Sequence, residues 1–339
     1  MSRIALFWMS FLVIALLVGC NSGGTFEKPN PTGKSGEVAI VVDGRLRGDT
    51  AVKYLKAVMT QPVDGLPQIE PLFDVTVIPA DIFSAMFRMM RNLIIITINP
   101  ECPKETIRYS NNVWANNQAI VRIEVKSDSS LLAFIKKNEN KLPSYFLKEE
   151  RKRYAQFYSA NSETSLVDSL IHKFNAQIAI PAGYSFRSSS NDFIWVGQNV
   201  SNIQQGLFVY SVPLNGKKTL SKEYILQMRD SVLKRNVPST RSGSFMTTEH
   251  QFEPLSKIIV VNGIMAMSVS GLWHIQGDFM GGPFVLTALP NVKRDKIVVL
   301  DGFVYSPEKP NKRNYIRQLE AIIETVKFKE FKNDTSRIK

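Results

Sequence analysis

The chain has 339 residues, 44% of them apolar, with 42 Lys and Arg against 30 Asp and Glu for a formal net charge of +12. That length allows two domains of ordinary size, each with its own core, and only two cysteines exclude a disulfide framework. Basic residues are scattered among acids, and the densest run, Lys148 to Arg153, mixes both signs as a solvated helix face does, which argues against a nucleic-acid partner.

The amino terminus carries the most specific signal. Arg3 precedes an apolar run, Ile4 to Val18, that is shorter than the roughly 20 residues a spanning helix needs. The run ends in Leu17-Val18-Gly19-Cys20, a small residue before a cysteine, which is the lipid-attachment pattern of bacterial lipoproteins. A signal peptide over 1–19 and a lipidated Cys20 as first mature residue are therefore expected, with the protein at the cell envelope, on the outer membrane facing the periplasm. Cleavage by the general signal peptidase is the alternative, and Leu17 suits its −3 position poorly. With Cys20 lipidated, Cys102 is alone between Pro100 and Pro103, where a small semi-buried thiol fits. An anchored protein with a pI near 9.6 favours anionic lipid head groups or acidic glycan as partners, besides envelope proteins.

Residues 20–35 read as a flexible tether. Gly33-Lys34-Ser35 imitates the end of a phosphate loop, but Lys28 stands where a glycine is required and no strand precedes it. The region 36–160 reads as an α/β layered domain. Near-continuous apolar runs predict strands over 37–43, 73–78 and 92–98, and a more alternating run predicts one over 118–125, nearer an edge. Asp49 can cap a helix that runs to Pro62, Pro79 and Asp81 open a short one, and further helices fall at 129–137, 144–158 and 165–174. A helical connection is placed at 161–176.

From 177 to 332 the texture turns to Gly-, Ser- and aromatic-rich alternation, which predicts an α+β domain: an antiparallel sheet with helices on one face. Strands are expected over 178–180, 184–187, 193–198, 206–213, 249–252, 257–261, 264–276, 282–289 and 296–305. Ser221 caps one helix, another covers 311–328, Asn262-Gly263 marks a hairpin, and 333–339 is a tail. By fold analogy alone this resembles a PsbP- and Mog-type sandwich.

Four groups of residues carry a resemblance: Ile180-Pro181-Ala182-Gly183-Tyr184 with Phe193-Ile194-Trp195; Gly206-Leu207-Phe208-Val209-Tyr210; Leu272-Trp273 with Gly277-Asp278-Phe279-Met280-Gly281-Gly282-Pro283-Phe284; and Gly302-Phe303-Val304-Tyr305 with Lys312-Arg313. Together they resemble an uncharacterised lipoprotein family of the Bacteroidetes, a domain of unknown function. The resemblance spans most of the mature chain and implies an envelope lipoprotein. It brings no catalytic residue.

Candidate chemistry is thin. His172 lies off the Leu166, Leu170, Phe174 stripe, and His250, three residues before Glu253, lacks the second histidine of a zinc helix. Strand alternation puts His274 with Ser268 and Ser270, opposite Val269, Trp273 and Ile275, and just before Asp278. A His and an Asp at such a turn can polarise a water or hold a ligand. An ordinary polar-face histidine is the simpler reading. No Gly-x-Ser-x-Gly elbow occurs, and Ser231-Val232-Leu233-Lys234 falls too late in its helix for a penicillin-binding serine. In the stretch 277–284, Phe279, Met280 and Phe284 are expected to plug a core, with Gly281 at positive φ; the other reading is a loop that presents aromatic groups. Trp195 and Trp273 read as core anchors.

His274, Asp278, Phe279 and Trp273 are thus the candidate ligand or partner surface. No metal and no cofactor are expected. A non-enzymatic envelope binding or scaffold protein is the leading expectation, and a hydrolase of cell-wall or glycan material is the alternative.

Overall fold

A computed structural model describes residues 27–200, 202–214, 220–291, 295–309 and 311–329. The expected signal peptide, Cys20, the start of the tether and the 333–339 tail lie outside the described residues. Two sheets organise the rest into a mixed α/β structure.

Strands β1 (Glu37–Val42), β2 (Asp74–Pro79), β3 (Asn92–Ile98), β4 (Thr106–Asn111) and β5 (Ala119–Val125) form the first sheet in the order β2-β1-β3-β5-β4. All neighbours are parallel except β4 and β5. Continuous apolar runs suit parallel strands because both faces are covered. Val38, Ile40, Ile94 and Val121 face helices α1 (Thr50–Met59), α3 (Asp128–Asn138) and α4 (Lys141–Ala160), whereas Ala39, Val41, Leu93 and Ile120 face Phe83, Trp114 and Phe87, the last on the four-residue helix α2 (Ala85–Arg88). Asp49 caps α1 by accepting the Ala51 N–H at 2.7 Å. The edge belongs to β4, not to β5. Its sequence, TIRYSN, has too little apolar content to signal a strand.

The second sheet is antiparallel, in the order β10-β12-β13-β14-β9-β8-β7, with β11 also on β12. Its strands are β7 (Ser185–Ser190), β8 (Phe193–Val200), β9 (Ile203–Pro213), β10 (Met246–Thr248), β11 (Leu255–Val261), β12 (Ile264–Ile275), β13 (Gly281–Pro290) and β14 (Lys296–Tyr305). Asn262 and Gly263 close the β11–β12 hairpin at φ +47° and +83°, the left-handed pair a two-residue turn requires.

Helices cover both faces of this sheet, correcting the one-faced expectation. Helices α5 (Thr164–Phe174) and α7 (Arg313–Glu324) pack over Val285, Leu289, Val298 and Leu300, while α6 (Lys222–Asn236) brings Ile225, Val232 and Leu233 over Phe284, Leu286, Val299 and Phe303. Strands with apolar residues on both sides need a layer on each side. Likewise α5 is more than a connection: Leu166, Leu170 and Phe174 sit in the same cluster as Ile194, Leu207 and Ile322. A short pair, β6 (Ala176–Gln177) with β15 (Lys327–Phe328), flanks it.

Charged residues join the two halves. Glu70 accepts the backbone N–H groups of Lys312 and Arg313 at 2.6 and 2.9 Å, closing the amino end of α7 with a side chain from the first half. Arg313 pairs with Asp74 at 2.7 Å, and Arg317 lies over the Phe73 ring at 4.9 Å. Nor is the 148–153 run simply a solvated face. Glu150 is buried among Arg91, Arg153, Asn92 and Ser35; burial alone would raise its carboxyl, but these partners hold it below the ordinary range.

Candidate functional site

Trp273 is 2% exposed, meets Phe303 edge-on and donates its indole N–H to the Val304 carbonyl at 3.3 Å. It anchors the core and is closed to a ligand. His274 points to the opposite face, with Nδ1 3.3 Å from a Glu249 carboxylate oxygen. Asp278 turns instead toward Arg241, 3.9 Å away, and accepts the Phe279 N–H at 2.7 Å. No hydrogen bond or ion pair joins His274 to Asp278.

Phe279 is 99% exposed. It is not the expected plug; Phe284, buried, and Met280, packed beside it, fill the core without it. Gly281 is a strand residue opposite His274, and the positive φ belongs to Gly277, at +80°. What the glycine pair supplies is close approach. A Cβ on Gly282 would lie 2.1 Å from the Val304 carbonyl oxygen, across which the Trp273 indole makes its bond.

The turn that carries Phe279 is tightly held. The Ile275 N–H donates to Met280 at 2.9 Å, the Asp278 N–H to Ile275 at 3.0 Å and the Gln276 N–H to Phe245 at 2.9 Å. Arg241 donates to the Gly277 carbonyl at 3.0 Å. Backbone and side-chain bonds therefore fix the base of the loop, and the ring alone projects.

Sequence reasoning missed a polar network beneath α6. Arg229 and Asp301 are fully buried and pair at 2.8 Å, with the guanidinium 3.8 Å over the Phe284 ring. Arg229 also donates to the Thr248 hydroxyl, which donates to Asp230 at 2.7 Å, and Asp230 meets His250 at 2.8 Å. Burial pushes the Asp301 carboxyl up against the pull of Arg229, and burial beside Asp301 raises the Tyr210 hydroxyl as well. For Asp230, burial is outweighed by hydrogen bonds from Thr248 and His250, which hold it low. The order of groups decides what the network can do. A relay that activates a hydroxyl places histidine between acid and nucleophile, whereas here Asp230 stands between His250 and a buried Thr248. The arrangement ties α6 to the sheet. Elsewhere, His172 and Ser231 are exposed and Cys102 is buried.

Comparison with known proteins adds two families. Residues 163–325 match the domain of unknown function DUF4837, and residues 31–159 match the domain of unknown function DUF8532. No curated protein matches. Among solved structures, the Saccharomyces cerevisiae Ran-binding protein Mog1p is similar at 10% identity over 45% of this chain and 90% of its own, with a TM-score of 0.31. The human StarD13 lipid transfer and protein localization domain is similar at 10% identity over 49% and 95%, with a TM-score of 0.23. Likeness this weak carries no argument about function. The chain is a mixed α/β protein whose two halves match two families of unknown function.

Proposed function

We propose that the chain is a non-enzymatic binding protein, anchored through a lipid on Cys20 to the periplasmic side of the outer membrane, that engages an envelope protein through the Phe279 loop. The observation that carries this reading is the pairing of a ring exposed at 99% with a turn clamped by hydrogen bonds. An aromatic on a floppy loop loses backbone and side-chain freedom when it binds; one on a fixed turn has already lost the backbone share, and such residues make effective anchors. Arg241, bonded to the Gly277 carbonyl, adds a charged group at the base of the turn. Trp273, Asp278 and His274 support and border the turn without being its contact point.

A hydrolase acting on glycan needs two carboxyl groups on opposite sides of a bond. Glu320 and Glu324, in the wall between the halves, leave successive turns of one helix and both face Arg151, so this pair does not flank a bond. No helix among the described residues is long and apolar enough to cross a bilayer.

Photo-crosslinking tests the reading. Benzoyl-phenylalanine replacing Phe279 in growing cells should give one discrete adduct with a second protein, and the same group at Ile69, itself 89% exposed, should not. No adduct at 279, or the same ladder at both positions, would contradict it.

A further inference from the structure

Where the two halves meet, a chamber and a groove share Glu324 in their walls. The chamber, about 180 Å³, lies between α7 and the outer strands of the second sheet. One polar row crosses it, because Lys257 pairs with Ser268 and Ser268 with Thr287 over β11, β12 and β13. Ser268 and Thr287 are 8% and 2% exposed, and neither hydroxyl has a hydrogen-bond partner in the protein. Their neighbours on this face, Val285, Leu289 and Ala266, are apolar. Neither oxygen is wholly shut off from solvent, so the two hydroxyls side by side offer donors and acceptors to a polar occupant of the chamber. Opposite stand Arg151, 2.6 Å from Glu324 and 3.9 Å from Glu320, so that Arg151 and Lys257 balance the two acids.

The groove, about 740 Å³, runs between α4, residues 177–179 and the end of α7. Lys152, Gln156, Ser159, Thr164, Gln177 and Lys327 line it, and their side chains make no hydrogen bond or ion pair within the protein. Two are ammonium groups, while the carboxylate in the wall, Glu324, is already joined to Arg151. No aromatic ring lines the groove. Amides and hydroxyls that both donate and accept match sugar hydroxyls, while Ala155, Val167, Ile178 and Ala179 in the same lining can meet the C–H face of a sugar ring; an extended peptide reads strand edges. Strand β6, which borders the groove, already pairs with β15.

We infer that chamber and groove form one binding site for an acidic saccharide. Lys152 and Lys327 meet its carboxylates, the groove amides and hydroxyls meet its ring hydroxyls, and Ser268 and Thr287 receive a ring substituent that enters the chamber. None of the Phe279 loop lines this site, so it stands or falls separately from the partner surface.

Titration calorimetry of the full-length chain in detergent, with trimers of galacturonate, glucuronate and mannuronate and with their methyl esters, tests it. At least one acidic trimer should bind, with its uncharged ester about tenfold weaker or more. Lys152→Glu combined with Lys327→Glu should weaken binding by a similar factor, Thr287→Val should weaken it without lowering the melting temperature, and Phe279→Ala should leave it unchanged. The inference is overturned if no trimer binds, if acid and ester bind alike, if the charge reversals leave affinity unaltered, or if a glutamate tripeptide binds as tightly as the best saccharide.

Discussion

Phe279 and Gly282 sit three residues apart, one needing open space and the other having none. Replacing Phe279 by Ala removes a ring that touches solvent, so stability should stay within about 0.5 kcal/mol of wild type. Gly282→Ala pushes a Cβ to 2.1 Å from a backbone oxygen and should lower stability by about 1 to 3 kcal/mol or more through overpacking. Urea unfolding of both variants distinguishes them; a destabilised Phe279→Ala would return the ring to the core. Trp273 was legible because strand alternation has a period. The turn after it has none, and hydrophobicity alone groups Phe279 with Met280 and Phe284. Glycine also serves two ends, free φ and close approach, and sequence does not separate them; hence the misplaced positive φ. Asp301 could have been suspected, since a lone acid inside the apolar run Ile297 to Tyr305 needs a counter-charge. Its partner Arg229 stands on the helix stripe of Ile225, Val232 and Leu233, 72 positions away.

Among elements, the long periodic ones were plain in the sequence: β3 and β14 fall on the predicted bounds, and Asp49, Ser221 and Asn262-Gly263 cap and turn as expected. Short polar strands were not. Both β4 and β10 give too little apolar signal, and pairing partners supply what their sequences lack. The role of α5 was hidden for a different reason, because an amphipathic stripe shows that a helix packs but not against which core. A prediction follows at this scale. Residues 176–339 lack Leu166, Leu170 and Phe174 and should show no cooperative thermal transition, whereas residues 161–339 should melt cooperatively. Cooperative melting of the shorter fragment would show that α5 is dispensable to that core.

In the whole molecule, the halves are tied by Glu70, Asp74, Arg151, Arg313 and Arg317. Charged residues far apart in sequence carry no sign of which will meet, so this junction, and the groove beside it, had no precursor in the sequence reading. The proposed anchor is the reverse case, a local pattern ending at Cys20 that sequence alone expresses. Cys20→Ala should move the protein from the membrane to the aqueous phase in detergent partitioning, because each buried CH₂ of an attached chain contributes about 0.8 kcal/mol to anchoring. Full retention in the membrane phase would remove the lipid anchor from the account. The proposed function rests above all on one aromatic held out on a rigid turn. The backbone order parameter of the Phe279 amide, from nuclear magnetic relaxation of the deuterated protein, tests this most directly. The account predicts about 0.85, the value of the flanking strands, and a value below about 0.6 would contradict it.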